Sequence, residues 1–134
     1  MKKRVNPHKK GYFARRTYSF RYAWNGIKTL ILTQPNAQIH FVVSVFLIFL
    51  GILMSLNWIE WSLIGICMGL VWLAEAMNTA IEFILDLVSP EYHELAGKAK
   101  DIAAGGVLLA ATAAVFVGGF VLGPRIWKLL ANLY

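Results

Sequence analysis

The sequence predicts an all-α membrane protein: three transmembrane helices behind an N-terminal amphipathic helix lying at the bilayer surface. Three observations carry this. Hydrophobic residues make up 58% of the 134-residue chain and mean hydropathy is +0.59, too apolar for a water-soluble domain of this size. The apolar residues gather in three long runs. Nine of the thirteen basic residues precede residue 29, and no acid precedes Glu60.

A net charge of +6 could suit nucleic acid. Its concentration in one arm beside apolar spans instead reads as a cytoplasmic flank that meets anionic lipid, and no nucleic-acid partner is expected. The single cysteine, Cys67, sits inside an apolar run, so neither a disulfide framework nor a Cys/His zinc site is available within one chain. The first 36 residues are basic, are broken by Pro7 and Pro35, and lack an apolar core, so no cleavable signal peptide is expected.

Residues 1–11 are expected to be a disordered basic N-terminus, and 12–134 a single membrane domain. Residues 12–33 carry Phe13, Phe20, Trp24, Ile27 and Ile31 at helical spacing among Arg15, Arg16, Arg21 and Lys28. Such a basic, aromatic helix lies in the headgroup layer, and Gln34-Pro35-Asn36 ends it. The first span is expected at about 38–56. Its apolar core of 18 residues, 39–56, gives about 27 Å of helix. His40, at one end, reads as an interfacial residue, and Asn57 to Trp61 as a turn in which Glu60 is merely solvated. The second span is expected at about 60–88, ended by Ser89-Pro90. Its length of about 42 Å outlasts the hydrocarbon layer. Residues 91–101 read as a connection. The third span, about 100–123, holds Gly105-Gly106 and Gly118-Gly119, small residues that let helices approach closely. Residues 124–134 read as a short tail.

Charge sets the expected orientation. The basic arm and the connection bearing Lys98 and Lys100 face the cytoplasm, and the C-terminus lies outside, with Arg125 and Lys128 as a minor exception.

Six of the seven acidic residues fall between 75 and 101. Glu75, Asn78, Glu82 and Asp86 stand at i, i+3, i+7 and i+11, within an arc of about 80° at 100° per residue. Glu91, Glu94, Lys98, Lys100 and Asp101 follow. Carboxylates beside lysines at a membrane interface suit a metal–phosphate substrate, because hard oxygens bind Mg²⁺ and ammonium groups neutralise phosphate. A polar seam holding an oligomer, or a cation or proton path, would use the same residue types. Spacing alone does not separate these readings. The chain has no G-x-x-x-x-G-K-[ST], which excludes a P-loop mechanism.

The run E-A-M-N-T-A-I-E, then D, then E-Y-H-E-L-A-G-K-A-K-D closely resembles the signature of the small integral-membrane diacylglycerol kinase family, which includes undecaprenol kinases. S-F-R-Y-A-W-N-G-I at 19–27 and N-A-Q-I-H at 36–40 extend the resemblance over nearly the whole chain. It implies a homotrimeric bundle in a bacterial inner membrane, with active sites shared between subunits at the cytoplasmic interface. There MgATP gives its γ-phosphoryl group to the primary hydroxyl of a lipid alcohol, undecaprenol or diacylglycerol. By the same resemblance Glu75 matches a general base that also meets the lipid, Asn78 its polar partner, and Glu82 a metal ligand at the nucleotide. Glu91, Tyr92 and His93 match a nucleotide-contacting segment, and Lys100 and Asp101 a pair near the phosphates and ribose. Arg15 and Tyr22 fall where the family contacts nucleotide or lipid headgroup. Gln34 stands where the family usually has a second metal-contacting glutamate. An amide oxygen can ligate Mg²⁺ without charge, so weaker metal binding is expected. An impaired kinase, or a non-enzymatic membrane oligomer, is the alternative.

Overall fold

A computed structural model of the chain describes residues 12–131, with side chains from residue 16 onward. The stretch 1–11, expected to be disordered, lies outside the described residues, as does the side chain of Arg15. Four helices follow in order: α1 (Tyr12–Thr33), α2 (Pro35–Leu53), α3 (Trp58–Val88) and α4 (Glu94–Ala131). No strand occurs among the described residues. The protein is all-α, and α2, α3 and α4 are each long and apolar enough to cross a membrane.

α1 stops at Thr33 because Gln34 precedes a proline and is held extended, at φ −107° and ψ 115°. Pro35 then opens α2 at a position where a missing N–H costs nothing. Phe20, Trp24 and Ile27 are exposed along one stripe of α1, beside exposed Arg21 and Lys28.

α2 ends at Leu53, short of the expected 56. Met54, Ser55 and Leu56 are apolar enough to read as span, but they close the turn instead. Ser55 takes a positive φ of 51°, and the Leu56 amide donates to the Gly51 carbonyl at 3.0 Å. The turn also needs Gly51 bare: a Cβ there would lie 2.6 Å from the Trp61 ring.

α3 begins with a capping box. Asn57 Oδ1 accepts from the amides of Ile59 and Glu60 at 2.9 and 3.0 Å, and Glu60 Oε2 accepts from the Asn57 amide at 2.7 Å. Glu60 is therefore not the solvated carboxylate that its place in a short turn suggests. It also takes Arg125 Nε at 3.0 Å and Nη2 at 2.6 Å, while Arg125 Nη1 donates to the Met54 carbonyl at 2.6 Å. Paired charges of this kind are needed wherever water is scarce.

α4 corrects two further expectations. The connection 91–101 is helical from Glu94, and the tail is helical through Pro124 to Ala131. His93 caps the start, its Nδ1 accepting from the Leu95 amide at 3.2 Å. Glu94 and Lys98 pair at 2.6 Å across the first turn. Pro124 removes one backbone donor, yet Arg125, the next residue, ties the far end back to the α2–α3 turn.

α3 and α4 share the most extensive helix contact. Two ion pairs fix their antiparallel register, Glu60–Arg125 at one end and Asp86–Lys100 at the other. The pairs lie about 38 Å apart along the helices, close to the distance between the two headgroup layers. Near the Glu60 end, Leu56, Ile64, Val121 and Leu122 form a small core on which Leu47, Trp61 and Val117 pack. Large apolar side chains such as Phe46, Phe49, Phe116 and Phe120 remain exposed. That surface is a liability in water and the required face in lipid.

Candidate functional site

Three polar side chains are buried among the described residues, and all three lie on one face of α3: Glu75, Asn78 and Thr79. Glu75 is only 1% exposed. Its Oε2, together with Asn78 Oδ1 and Thr79 Oγ1, has no hydrogen-bond partner. Leaving a buried polar atom unpaired costs about 1–3 kcal/mol, more for a charge. Three such atoms lie within two helical turns, so this face of α3 leaves its polar groups unsatisfied within one chain.

One turn further along, Asn78 Nδ2 donates to Glu82 Oε1 at 2.9 Å. This bond fixes the amide so that its oxygen faces away from Glu82 and stays free. A second bond sets the register of α2 against α3. Trp72 Nε1 donates to Ser44 Oγ at 3.1 Å. His40 lies four residues before Ser44, and Glu75 three after Trp72. In an antiparallel hairpin the two are brought level.

Beyond Glu82 the stripe reaches Asp86, which is ion-paired with Lys100 across the α3–α4 connection. Asp86 and Lys100 belong to the lining of an open cleft of about 380 Å³ formed where the chain leaves α3 and enters α4. Ser89, Glu91, Tyr92, His93 and Gly97 also line it. Tyr92 is 92% exposed, so its ring is available to a planar ligand.

The sequence-derived candidates therefore separate into two groups. Glu75, Asn78 and Glu82 form the buried part. Glu91, Tyr92, His93 and Lys100 gather at the cleft. Lys100 is ion-paired with Asp86, and Asp101 is exposed beside it. His93 spends one ring nitrogen on capping α4 and keeps the other. Gln34 sits half-buried at the start of α2, its amide nitrogen donating to Thr33 Oγ1 at 3.3 Å. No described contact joins it to Glu82. Tyr22 is half-buried on α1 with its ring 6.4 Å from that of Tyr18. Thr79, which carries no charge, escaped the sequence reading.

Among the described residues no three His, Cys, Asp or Glu side chains stand together as a ready metal cage. The Glu82 carboxylate is a hard oxygen donor of the kind Mg²⁺ takes. It fits a cation that arrives with a phosphate ligand and completes its shell there.

Residues 21–122 match the family described as prokaryotic diacylglycerol kinase. The chain is 46% identical over 113 residues to a diacylglycerol kinase of Synechocystis, covering 84% of this chain and 65% of that protein, just under two thirds of its length. It is 35% identical over 108 residues to an undecaprenol kinase of Bacillus subtilis, covering 81% of this chain and 88% of that one. Against a diacylglycerol kinase of Escherichia coli the identity is 30% over 94 residues, 70% of this chain and 77% of the other.

Proposed function

The chain belongs to the prokaryotic diacylglycerol kinase family of lipid kinases, and from that membership we propose that it transfers the γ-phosphoryl group of MgATP to the primary hydroxyl of a membrane lipid alcohol. The acceptor is undecaprenol or diacylglycerol, the two alcohols named for its relatives. The observation that carries the proposal is the buried, unpartnered Glu75 carboxylate one turn from the Asn78–Glu82 pair, on the helix that leads into the Lys100 cleft.

Glu75 acts as general base. Its Oε2 takes the proton of the lipid hydroxyl as that oxygen attacks the γ-phosphorus and the bond to the β–γ bridging oxygen breaks. Asn78 orients the site through its bond to Glu82. Glu82 would hold Mg²⁺, with Gln34 contributing an uncharged oxygen. The bound cation neutralises phosphate oxygens. Lys100 meets the phosphates, and Glu91, Tyr92 and His93 meet the rest of the nucleotide, with Asp101 at the ribose. Arg15 and Tyr22 on α1 contact nucleotide or headgroup.

The Asp86–Lys100 end faces the cytoplasm, where ATP is available, and α1 lies in the inner headgroup layer. The lysines of that end and the basic arm support this orientation. Three copies form the working unit in a bacterial inner membrane. The exposed apolar faces of α2 and α4 and the openness of the cleft support shared sites between copies.

The experiment is phosphate transfer by detergent-solubilised protein, with radiolabelled MgATP and with undecaprenol and diacylglycerol in parallel. Label appearing in one or both lipids is expected. No label in either, from correctly assembled protein, overturns the proposal.

A further inference from the structure

Threonine and serine hydroxyls inside helices ordinarily bond to the carbonyl four residues back, which satisfies them without outside help. Thr33, Ser62 and Thr112 do so, at 2.8, 2.8 and 2.7 Å. Thr79 does not. Its Oγ1 is unpartnered although the residue is only 5% exposed. Thr79 stands four residues after Glu75 and next to Asn78. Its hydroxyl therefore shares the face that carries Glu75 Oε2 and Asn78 Oδ1.

The enclosure comes from this chain alone. Thr79 lies seven residues before Asp86, and Val107 seven after Lys100, so the Asp86–Lys100 pair brings Val107 level with Thr79. Val107 is itself buried. A side chain already covered within one chain is not a surface for a neighbouring subunit. The partner left to it is a small polar group held at that face of α3. Of the two ligands of a lipid kinase, a polyphosphate carries charge and is served by the exposed cleft. An alcohol is a neutral group of the right size, able both to donate and to accept.

We infer that Thr79 is a substrate-contacting residue, whose Oγ1 donates a hydrogen bond to the oxygen of the acceptor lipid hydroxyl while that hydroxyl donates to Glu75 Oε2. The inference rests on the reading of Glu75 as the base. The alcohol oxygen has two lone pairs: one receives the Thr79 hydrogen bond, and the other is left for phosphorus. A primary alcohol presents its oxygen to both side chains, whereas an ester or ether oxygen accepts from Thr79 and gives Glu75 nothing. The pair thus selects for a free hydroxyl at the depth of the headgroup.

The test compares wild type, Thr79→Val, Thr79→Ser and Glu75→Gln in detergent micelles, with dioctanoylglycerol and with undecaprenol as acceptors. Valine keeps the shape of threonine and removes only the hydroxyl. Thr79→Val is expected to lower kcat/KM for the alcohol about tenfold, with KM for MgATP unchanged and Thr79→Ser near wild type. Its Tm should equal or exceed that of wild type, because a buried unpaired group has been removed. Unchanged kcat/KM for both alcohols overturns the inference. So does a fall in Tm or loss of the oligomer in Thr79→Val, which would make the hydroxyl structural. Full activity in Glu75→Gln beside an impaired Thr79→Val overturns the base assignment and keeps the Thr79 contact. Wild type that labels neither alcohol removes both.

Discussion

Trp72 donates its indole N–H to Ser44 Oγ at 3.1 Å, the polar bond that joins α2 to α3 midway along their lengths. It lies between the buried polar face of α3 and the turn at the other end, and it holds His40 level with Glu75. Hydrogen bonds between helices in lipid average about 0.6 kcal/mol and reach about 1.7. Ser44→Ala should therefore destabilise by roughly that range, leaving the indole unsatisfied. Trp72→Phe in the same protein should recover part of the loss, since donor and acceptor are then both gone. A double-mutant cycle in thermal unfolding checks this, and strict additivity would show that the bond carries no energy.

Glu75 is buried with one carboxylate oxygen unpartnered. Glu75→Gln keeps the shape, removes the base and removes the buried charge. The expected outcome is a kcat at least about 100-fold lower together with a Tm that is unchanged or raised. Initial rates and Tm on the same preparations measure both. Such opposed effects are the signature of a side chain kept for chemistry rather than for stability.

Gln34 offers a neutral oxygen at the start of α2, where the resembling family usually has a carboxylate. Gln34→Glu should lower the Mg²⁺ concentration needed for half-maximal rate, with little change in Tm, because the side chain is only half-buried and makes one long bond of 3.3 Å. A magnesium titration at fixed ATP reads the effect. An unmoved midpoint would place the metal away from α2.

Gly51 faces the Trp61 ring so closely that a methyl group would sit 2.6 Å from it. Gly51→Ala should cost about 1–3 kcal/mol through forced movement of the ring. Trimming the ring in Gly51→Ala/Trp61→Leu should relieve the clash, seen as recovery of Tm above that of the single variant.

The Glu60–Arg125 pair between α3 and α4 and the exposed Glu94–Lys98 pair within α4 carry unequal consequences. Glu60→Gln should lower Tm because it unpairs Arg125, whereas Glu94→Gln, whose partner Lys98 is well exposed, should leave Tm near wild type. Parallel melting curves of the two variants test the ranking.

Much of this was legible in the sequence. The apolar runs announce the spans, because lipid demands long uninterrupted apolar helix. The polar stripe is legible because 3.6 residues per turn bring Glu75, Asn78, Glu82 and Asp86 onto one face. What could not be read depends on register between distant elements. Asn57 and Glu60 carry the local spacing of a capping box, but the Glu60–Arg125 contact spans sixty-five residues, and nothing local tells an ion-paired glutamate from an unpaired one. The helical course of α4 past Pro124 was hidden because proline ordinarily signals an end, and here a tertiary contact next to it overrides the signal. The state of Thr79 is likewise invisible: in the one-letter sequence, a threonine that bonds back to its own helix and one that withholds its hydroxyl look the same.

The grip of Arg125 on Met54 and Glu60 has a bearing on biogenesis. Both groups it satisfies belong to a bend made long before the arginine itself leaves the ribosome. Until then the hairpin of the first two crossings must keep its open carbonyl and its carboxylate in contact with water. The last crossing thus works as a latch, and the hairpin locks only on its arrival. A chain cut short before that arginine would insert its earlier crossings yet leave the bend loose, an expected target for membrane proteolysis.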